Sequence, residues 1–112
     1  MHRGAVWIVD LGQLYEDETF KRRPVVIVSN DTANVYSETV TILPISGQVD
    51  RRYPFEVMLG EEVGLNQPSK AKANQIRTLD QACLVRPIGQ LNEAQMMEVE
   101  RAIRVHLGME SE

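Results

Sequence analysis

Lys21, Arg22 and Arg23 stand immediately before Pro24, at the head of the run "PVVIVS", in a chain whose formal net charge is −4. Three adjacent cations in an acidic protein suggest an anion to be held. Arginine presents a planar fork of donors that matches two oxygens of a phosphate, and the proline after Arg23 biases its backbone toward extended geometry, fixing that side chain at the mouth of a strand. Glu18 lies five residues earlier, across a loop able to fold back toward it. The same cations also suit a solvated strand end that discourages edge pairing, so the charge pattern alone leaves both readings open.

Three further sets of residues carry usable chemistry. Ser46 follows "LPI" at the end of a strand-like run, where a hydroxyl stands on a rim, although serines there commonly satisfy turn backbone. Lys72, Asn74, Gln75 and Arg77 form a dense polar series whose donors and acceptors suit base edges or phosphates of single-stranded RNA, or simply a polar strand face. Arg51 and Arg52 precede Tyr53 and Phe55, interleaving cations with aromatics as nucleic-acid surfaces do; Phe55 and Trp7 are better read as core. Cys83 is the only cysteine, and His2 and His106 are the only histidines. That supply excludes an internal disulfide and gives a zinc site or a Cys/His pair little to work with. No metal and no cofactor are expected, and His106 is read as a C-terminal helix cap.

The elements that must position these residues are mostly strands. "AVWIVDL" and "PVVIVS" are β-branched, apolar runs, the second reading as buried on both faces. "TVTILPIS" alternates until Pro44, near which a third strand ends. "PFEVML" places Phe55, Val57 and Leu59 on one face and Glu56 outward on the other. "SKAKANQIRTLD" suggests one or two short strands with polar residues facing out. "SND", "SGQVD" and "GEEVGLNQPS" read as turns and connections, and "GQLYEDETFKRR" as a surface loop of the kind that carries function. At the end of the chain the period changes: Asn92 and Gln95 suit a helix N-terminus, Met96, Val99, Ile103 and Leu107 repeat at helical spacing, and Gly108 stops the helix. Short strands and one closing helix predict a mainly β, small antiparallel barrel whose C-terminal α-helix covers one opening.

With 112 residues, 43% of them hydrophobic and 25% charged, the chain fits a single domain over residues 1–112. Its net charge argues against coating nucleic acid by bulk attraction, but a local basic face on an acidic body remains compatible with it. No apolar run approaches the roughly 20 residues of a membrane span, and the start "MHRGAVWIVD" lacks the pattern of a signal peptide. A soluble, cytoplasmic protein with no membrane partner is expected.

In order along the chain, "RGAVWIVDLG", then an acid and "RRPVVIVSND", then "TILPIS", "YPFEV", "NQIRTLD" and "IGQL" before the last helix resemble the MazF/PemK/Kid toxins of bacterial toxin–antitoxin systems. The resemblance spans about residues 3 to 108. It implies an SH3-like barrel that works as a homodimer. It also implies a metal-independent endoribonuclease that cuts single-stranded mRNA at short sequences through its 2′-hydroxyl and is restrained by a partner antitoxin. By the same resemblance the family's catalytic arginine falls on Arg23, the hydroxyl closing the third strand on Ser46, the loop acid on Glu18, and RNA-contacting positions on Lys72 and Asn74. Lys21 and Arg22 are then steering charges, with Arg51, Arg52, Gln75 and Arg77 as further RNA-binding candidates. Three features depart from the family pattern: "YEDETFKRR" puts Glu16 and Lys21 where glycines are usual, Asn74 stands where several relatives have an acid, and Ser46 stands where threonine is common, keeping the hydroxyl.

Two alternatives share the fold. One is a non-enzymatic gyrase poison of the CcdB type, whose relatives depend on a C-terminal tryptophan where this chain reads "GMESE". The other is an RNA- or protein-binding barrel that has lost its nuclease activity.

Overall fold

Apolar β-branched residues fill both faces of the first long strands, and this decides the architecture. A computed structural model describes residues 1–13 and 22–112 of the chain. The strands are β1 (Ala5–Asp10), β2 (Arg22–Ile27), β3 (Thr39–Ser46), β4 (Glu56–Leu59), β5 (Ser69–Lys72), β6 (Arg77–Asp80) and β7 (Leu84–Gln90), with helices α1 (Asp31–Tyr36) and α2 (Glu93–His106). All pairings are antiparallel. Their order is β4-β5-β3-β2-β1-β7, with β6 also paired to β3.

β3 is the pivot, because on the side away from β2 it pairs with β6 through Thr39–Ile42 and then with β5 through Ile45 and Ser46. Pro44, which has no N–H to give a ladder, lies where β3 changes partners. The strand therefore runs through the proline and ends two residues on, at Ser46, as the sequence predicts.

Period-two alternation sends side chains to two cores. Val6, Val26, Leu43 and Ile45 join one core, which is completed by Val57, Leu59 and the α2 residues Met96, Val99 and Ala102. Val9, Val25, Ile27, Val40 and Ile42 join the other, with Leu79, Cys83 and, at its border, Trp7. The expectation that "PVVIVS" is buried on both faces is met at Val25, Val26 and Ile27. Trp7 is only partly buried, and among the described residues its buried Nε1 has no hydrogen-bond partner.

Three elements differ from the sequence reading. "SND" does not simply turn: Asn30 accepts from Ala33 N at 2.7 Å and caps α1. Turn and N-cap draw on the same side-chain chemistry, and a helix of six residues is too short to display a period. β7 was not anticipated as a strand. It carries Pro87, is mostly exposed, and pairs with β1 through two register shifts, so it lacks both alternation and an unbroken ladder. Glu56 is the third, since it is buried instead of facing outward.

α2 begins as anticipated. Asn92 accepts from Gln95 N at 2.8 Å and Gln95 returns the bond to Asn92 N at 2.9 Å, a reciprocal capping box. Its buried face comprises Met96, Val99, Ala102 and Val105, whereas Leu107 is exposed at the C-cap. The end is closed by backbone bonds, Gly108 N to Val105 O and Met109 N to Arg104 O, with Gly108 at φ +75°. This is the doubly bonded left-handed stop that glycine favours. His106 does not serve as that stop; its ring tilts against Phe55 at 6.1 Å.

Candidate active site

β2 and β3 position the central pair. Their register matches Val25 to Pro44 and Val26 to Leu43, and continuing it by two residues sets Arg23 opposite Ser46. Both side chains thereby extend the face of Val25, Ile42 and Pro44 out to its rim. They line one groove of about 350 Å³ together with Arg22, Pro24, Gly47 and Gln48. Arg23 is half-buried, and among the described residues no carboxylate is paired with it. Ser46 Oγ accepts from Gln48 N at 3.2 Å, a turn bond that sets the oxygen in place and leaves its proton free to be donated.

Behind the rim, Arg23 also borders a cavity of about 220 Å³ that Gln75 and Arg77 line from the β5–β6 connection and β6. Its floor is hydrocarbon, with Val9, Val25, Ile42 and Leu79 each almost fully buried. A guanidinium over such a floor acts in a low effective dielectric, where its attraction for an anion is larger than in bulk water.

The remaining candidates are placed as follows. Arg22 is exposed and ion-paired with Asp10 across the β1–β2 ladder at 3.3 Å, so part of its steering charge is already offset. Lys72 is on β5, two residues beyond Lys70, which pairs in register with Ser46. It therefore shares the Ser46 face without lining the groove. Asn74 and Gln75 are exposed on a 3-10 turn after β5. Arg51 and Arg52 are exposed on the β3–β4 connection and line neither cavity; Arg51 Nη1 donates to Tyr53 Oη at 3.2 Å, and the Tyr53 ring stacks on Phe55 at 5.3 Å. Glu18 and Lys21 lie outside the described residues.

A buried ion pair that sequence reading missed holds this connection in place. Lys70 Nζ donates to Glu56 Oε1 at 3.1 Å and to the carbonyl of Arg51, and Glu56 Oε1 also accepts from Tyr53 N at 2.8 Å. The side chains of Lys70 and Glu56 are 7% and 2% exposed. That burial makes the pair a constraint that cannot be half removed without stranding a charge. In the sequence Glu56 alternates with Phe55 and Val57 as an outward residue would, so only the partner's position reveals it.

Cys83 does not offer a nucleophile. Burial pushes its thiol up from the ordinary value, the carboxylates of Asp80 and Asp10 push it further, and Arg77 only partly opposes them. It therefore stays a thiol at neutral pH, and the thiolate is the reactive form. Among the described residues no three His, Cys, Asp or Glu side chains are grouped so as to hold a metal ion. Nor is any helix among them long and apolar enough to cross a membrane.

Residues 2–107 match the family described as PemK-like, MazF-like toxin of type II toxin-antitoxin system. The chain is 36% identical over 115 residues to Endoribonuclease MazF9 of Mycobacterium tuberculosis, covering 97% of this chain and 98% of that protein. It is 37% identical over 111 residues to Endoribonuclease MazF of Staphylococcus saprophyticus, covering 97% and 92%. Among solved structures, Mycobacterium tuberculosis toxin MazF-mt6 aligns with a TM-score of 0.82 at 28% identity, covering 95% of this chain and 98% of that one. An endoribonuclease in complex with its cognate antitoxin, from a mycobacterial species, aligns with a TM-score of 0.82 at 26% identity, covering 100% and 99%. The barrel-like fold expected from the sequence is thus the fold of these neighbours.

Proposed function

The chain belongs to the PemK-like, MazF-like family of type II toxins, and from that premise we propose that it is an endoribonuclease that cuts single-stranded mRNA without a metal ion. The observation that carries this reading is the shared groove of Arg23 and Ser46, which sets a guanidinium and a hydroxyl on one rim. In the proposed reaction the substrate's 2′-oxygen forms a bond to the adjacent phosphorus as its proton leaves to a base. The bond from phosphorus to the 5′-oxygen breaks, and that oxygen takes up a proton. The products are a 2′,3′-cyclic phosphate and a 5′-hydroxyl.

Arg23 is assigned to the oxygens of the pentavalent phosphorus, where negative charge is greatest and a fixed donor contributes most. A guanidinium does not readily give up a proton, so charge stabilisation is its role. Ser46 donates a second hydrogen bond at the same rim. Glu18 is the candidate base, or the residue that orients Arg23. Lys72, Asn74, Gln75 and Arg77 are proposed to hold the strand on either side of the cut, with Lys21, Arg22, Arg51 and Arg52 attracting it. A homodimer in the cytoplasm, with the groove extended across two copies and covered by a cognate antitoxin, completes the reading.

The test is cleavage of a long unstructured RNA in EDTA by the purified protein. Cyclic-phosphate ends are expected, and Arg23→Ala should lower the rate by about 10²–10³. Cutting by the alanine variant at the original rate would overturn the assignment. Inhibition of gyrase supercoiling without any RNA cut would favour the gyrase-poison alternative.

A further inference from the structure

The groove of Arg23 and Ser46 continues around the ends of β2 and β3 onto the opposite face of the sheet. There a second cavity, of about 240 Å³, shares Pro24, Ile45 and Gly47 with it. Strand alternation places Ile8, Pro24 and Ile45 on this face, back to back with Val9, Arg23 and Ser46. Leu65 and Ile88 complete the apolar wall, and Asn66, Gln67 and Ser69 supply the polar groups. Among the described residues no charged side chain lines this cavity.

That composition is wrong for a phosphate and right for a flat heteroaromatic ring. Hydrocarbon meets the faces of such a ring, and carboxamides, each with donors and an acceptor, meet its edge. The volume is below the roughly 300–1,000 Å³ of pockets for drug-sized ligands, which suits one base and not two.

The amide-bearing loop is held in place by backbone. Gly64 has φ +90°, and a Cβ there would strike the carbonyl of Ile88; a Cβ at Gly89 would strike the carbonyl of Val63. The loop therefore rests on β7 with no side chain between them. Ser69 Oγ donates to Gln67 O at 3.1 Å and fixes the next turn. Gln67 Nε2 lies directly over Gly47, where a methyl group would collide with it. This puts the Gln67 carboxamide at the seam between cavity and groove. The side-chain amides of Asn66 and Gln67 make no hydrogen bond among the described residues, so their donors and acceptors are available.

We infer that this cavity seats a single nucleobase of the RNA strand next to the cut phosphodiester, and that Gln67, assisted by Asn66, reads its edge and so sets part of the cut-site sequence. The inference rests on the endoribonuclease reading, since it assumes that the neighbouring phosphate sits at Arg23.

Two measurements separate the inference from its premise. In the first, a mixed-sequence RNA is digested by wild-type protein and by Gln67→Ala, Gln67→Glu and Asn66→Ala, and the new 5′ ends are sequenced. The Gln67 variants should flatten or redirect base preference at one position beside the cut by roughly tenfold or more, because a site built to hydrogen-bond a group discriminates through it. Identical cut-site profiles for wild type and all three variants would overturn the inference while leaving the nuclease intact. In the second, the four nucleoside 5′-monophosphates are titrated into isotope-labelled wild-type protein, and the side-chain amide signals of Asn66 and Gln67 are followed by NMR. Shifts that depend on the base support the pocket even if the wild type does not cut. Shifts that are equal for all four bases, or absent, overturn it.

Discussion

One face of β1, β2 and β3 is closed by α2, and its core residues Val6, Val26, Leu43 and Val99 are all fully buried. The other face ends in a cavity of about 220 Å³ beneath Arg23, although its floor, at Val25 and Ile42, is nearly as dry. Where α2 packs on it the first face is finished with hydrocarbon, and past Ile45 it holds the uncharged cavity beside Gln67. The second is finished with charge: Lys70 and Glu56 under the rim and Arg23 upon it. A sheet that buries both faces can thus hold together through its two cores and still carry cavities at their margins. The open side gains a place where a cation is flanked by apolar wall, and an anion seated there is shielded from water on one flank.

Substitutions on the two faces should separate stability from cutting. Lys70→Met strands the Glu56 carboxylate in the interior and should cost about 3–5 kcal/mol of unfolding free energy. Adding Glu56→Gln should recover part of that loss, because glutamine still offers an acceptor to Tyr53 N; urea denaturation of the single and double variants measures it. Leu43→Ala, on the α2 side, should cost about 2–5 kcal/mol. Leu79→Ala should cost less in the same assay, since Leu79 already borders a cavity and loses fewer neighbours. A larger loss at Leu79 than at Leu43 would contradict the division between the faces.

Arg23→Ala, the variant expected to stop cutting, should move stability by no more than about 0.5 kcal/mol, because among the described residues no carboxylate is paired with its side chain. The smallest effect belongs to the chain end. Hydrogen bonds from Arg104 and then Arg101 hold the Glu110 carboxyl below its ordinary value, against a lesser desolvation effect. A carboxyl depressed in this way keeps its tether above the ordinary carboxylate value and loses it as pH falls through the lowered one. An NMR titration in acid should show residues 108–112 loosening while the signals of Val99 and Ala102 stay in place.

Much of this architecture could be read from local patterns. β1, β2 and β3 follow from β-branched runs, and the α2 start at Asn92 and stop at Gly108 follow from capping chemistry that acts within a few residues. Arg23 and Ser46 are joined in the sequence only through the resemblance of "RRPVVIVSND" and "TILPIS" to the toxin family, and the register of β2 and β3 sets them opposite one another. What was not legible depends on partners distant in the chain. Glu56 looks outward until Lys70, 14 residues away, is placed against it. "LVRPIGQ" shows no alternation because β7 is an exposed terminal strand with a proline and two irregularities. Asn66 and Gln67 resemble any polar loop until Gly64 and Gly89 press that loop onto β7. Pro44 is tolerated inside β3 because a missing N–H is harmful in a continuous ladder, and here the ladder changes partners at that point.

β7 bears on how copies of the protein can associate. Among the described residues it is the outermost strand beside β1, with one row of backbone groups and no further strand beside it, yet it carries Pro87, which has no N–H, and its ladder to β1 is interrupted by two register shifts. Lateral growth from that margin into an extended ribbon is blocked by covalent structure instead of by charge alone. Copies that meet on the β7 side are therefore steered toward side-chain contacts, broad surface against broad surface. Such contacts can be closed, counted and reversed, whereas a templated fibril cannot.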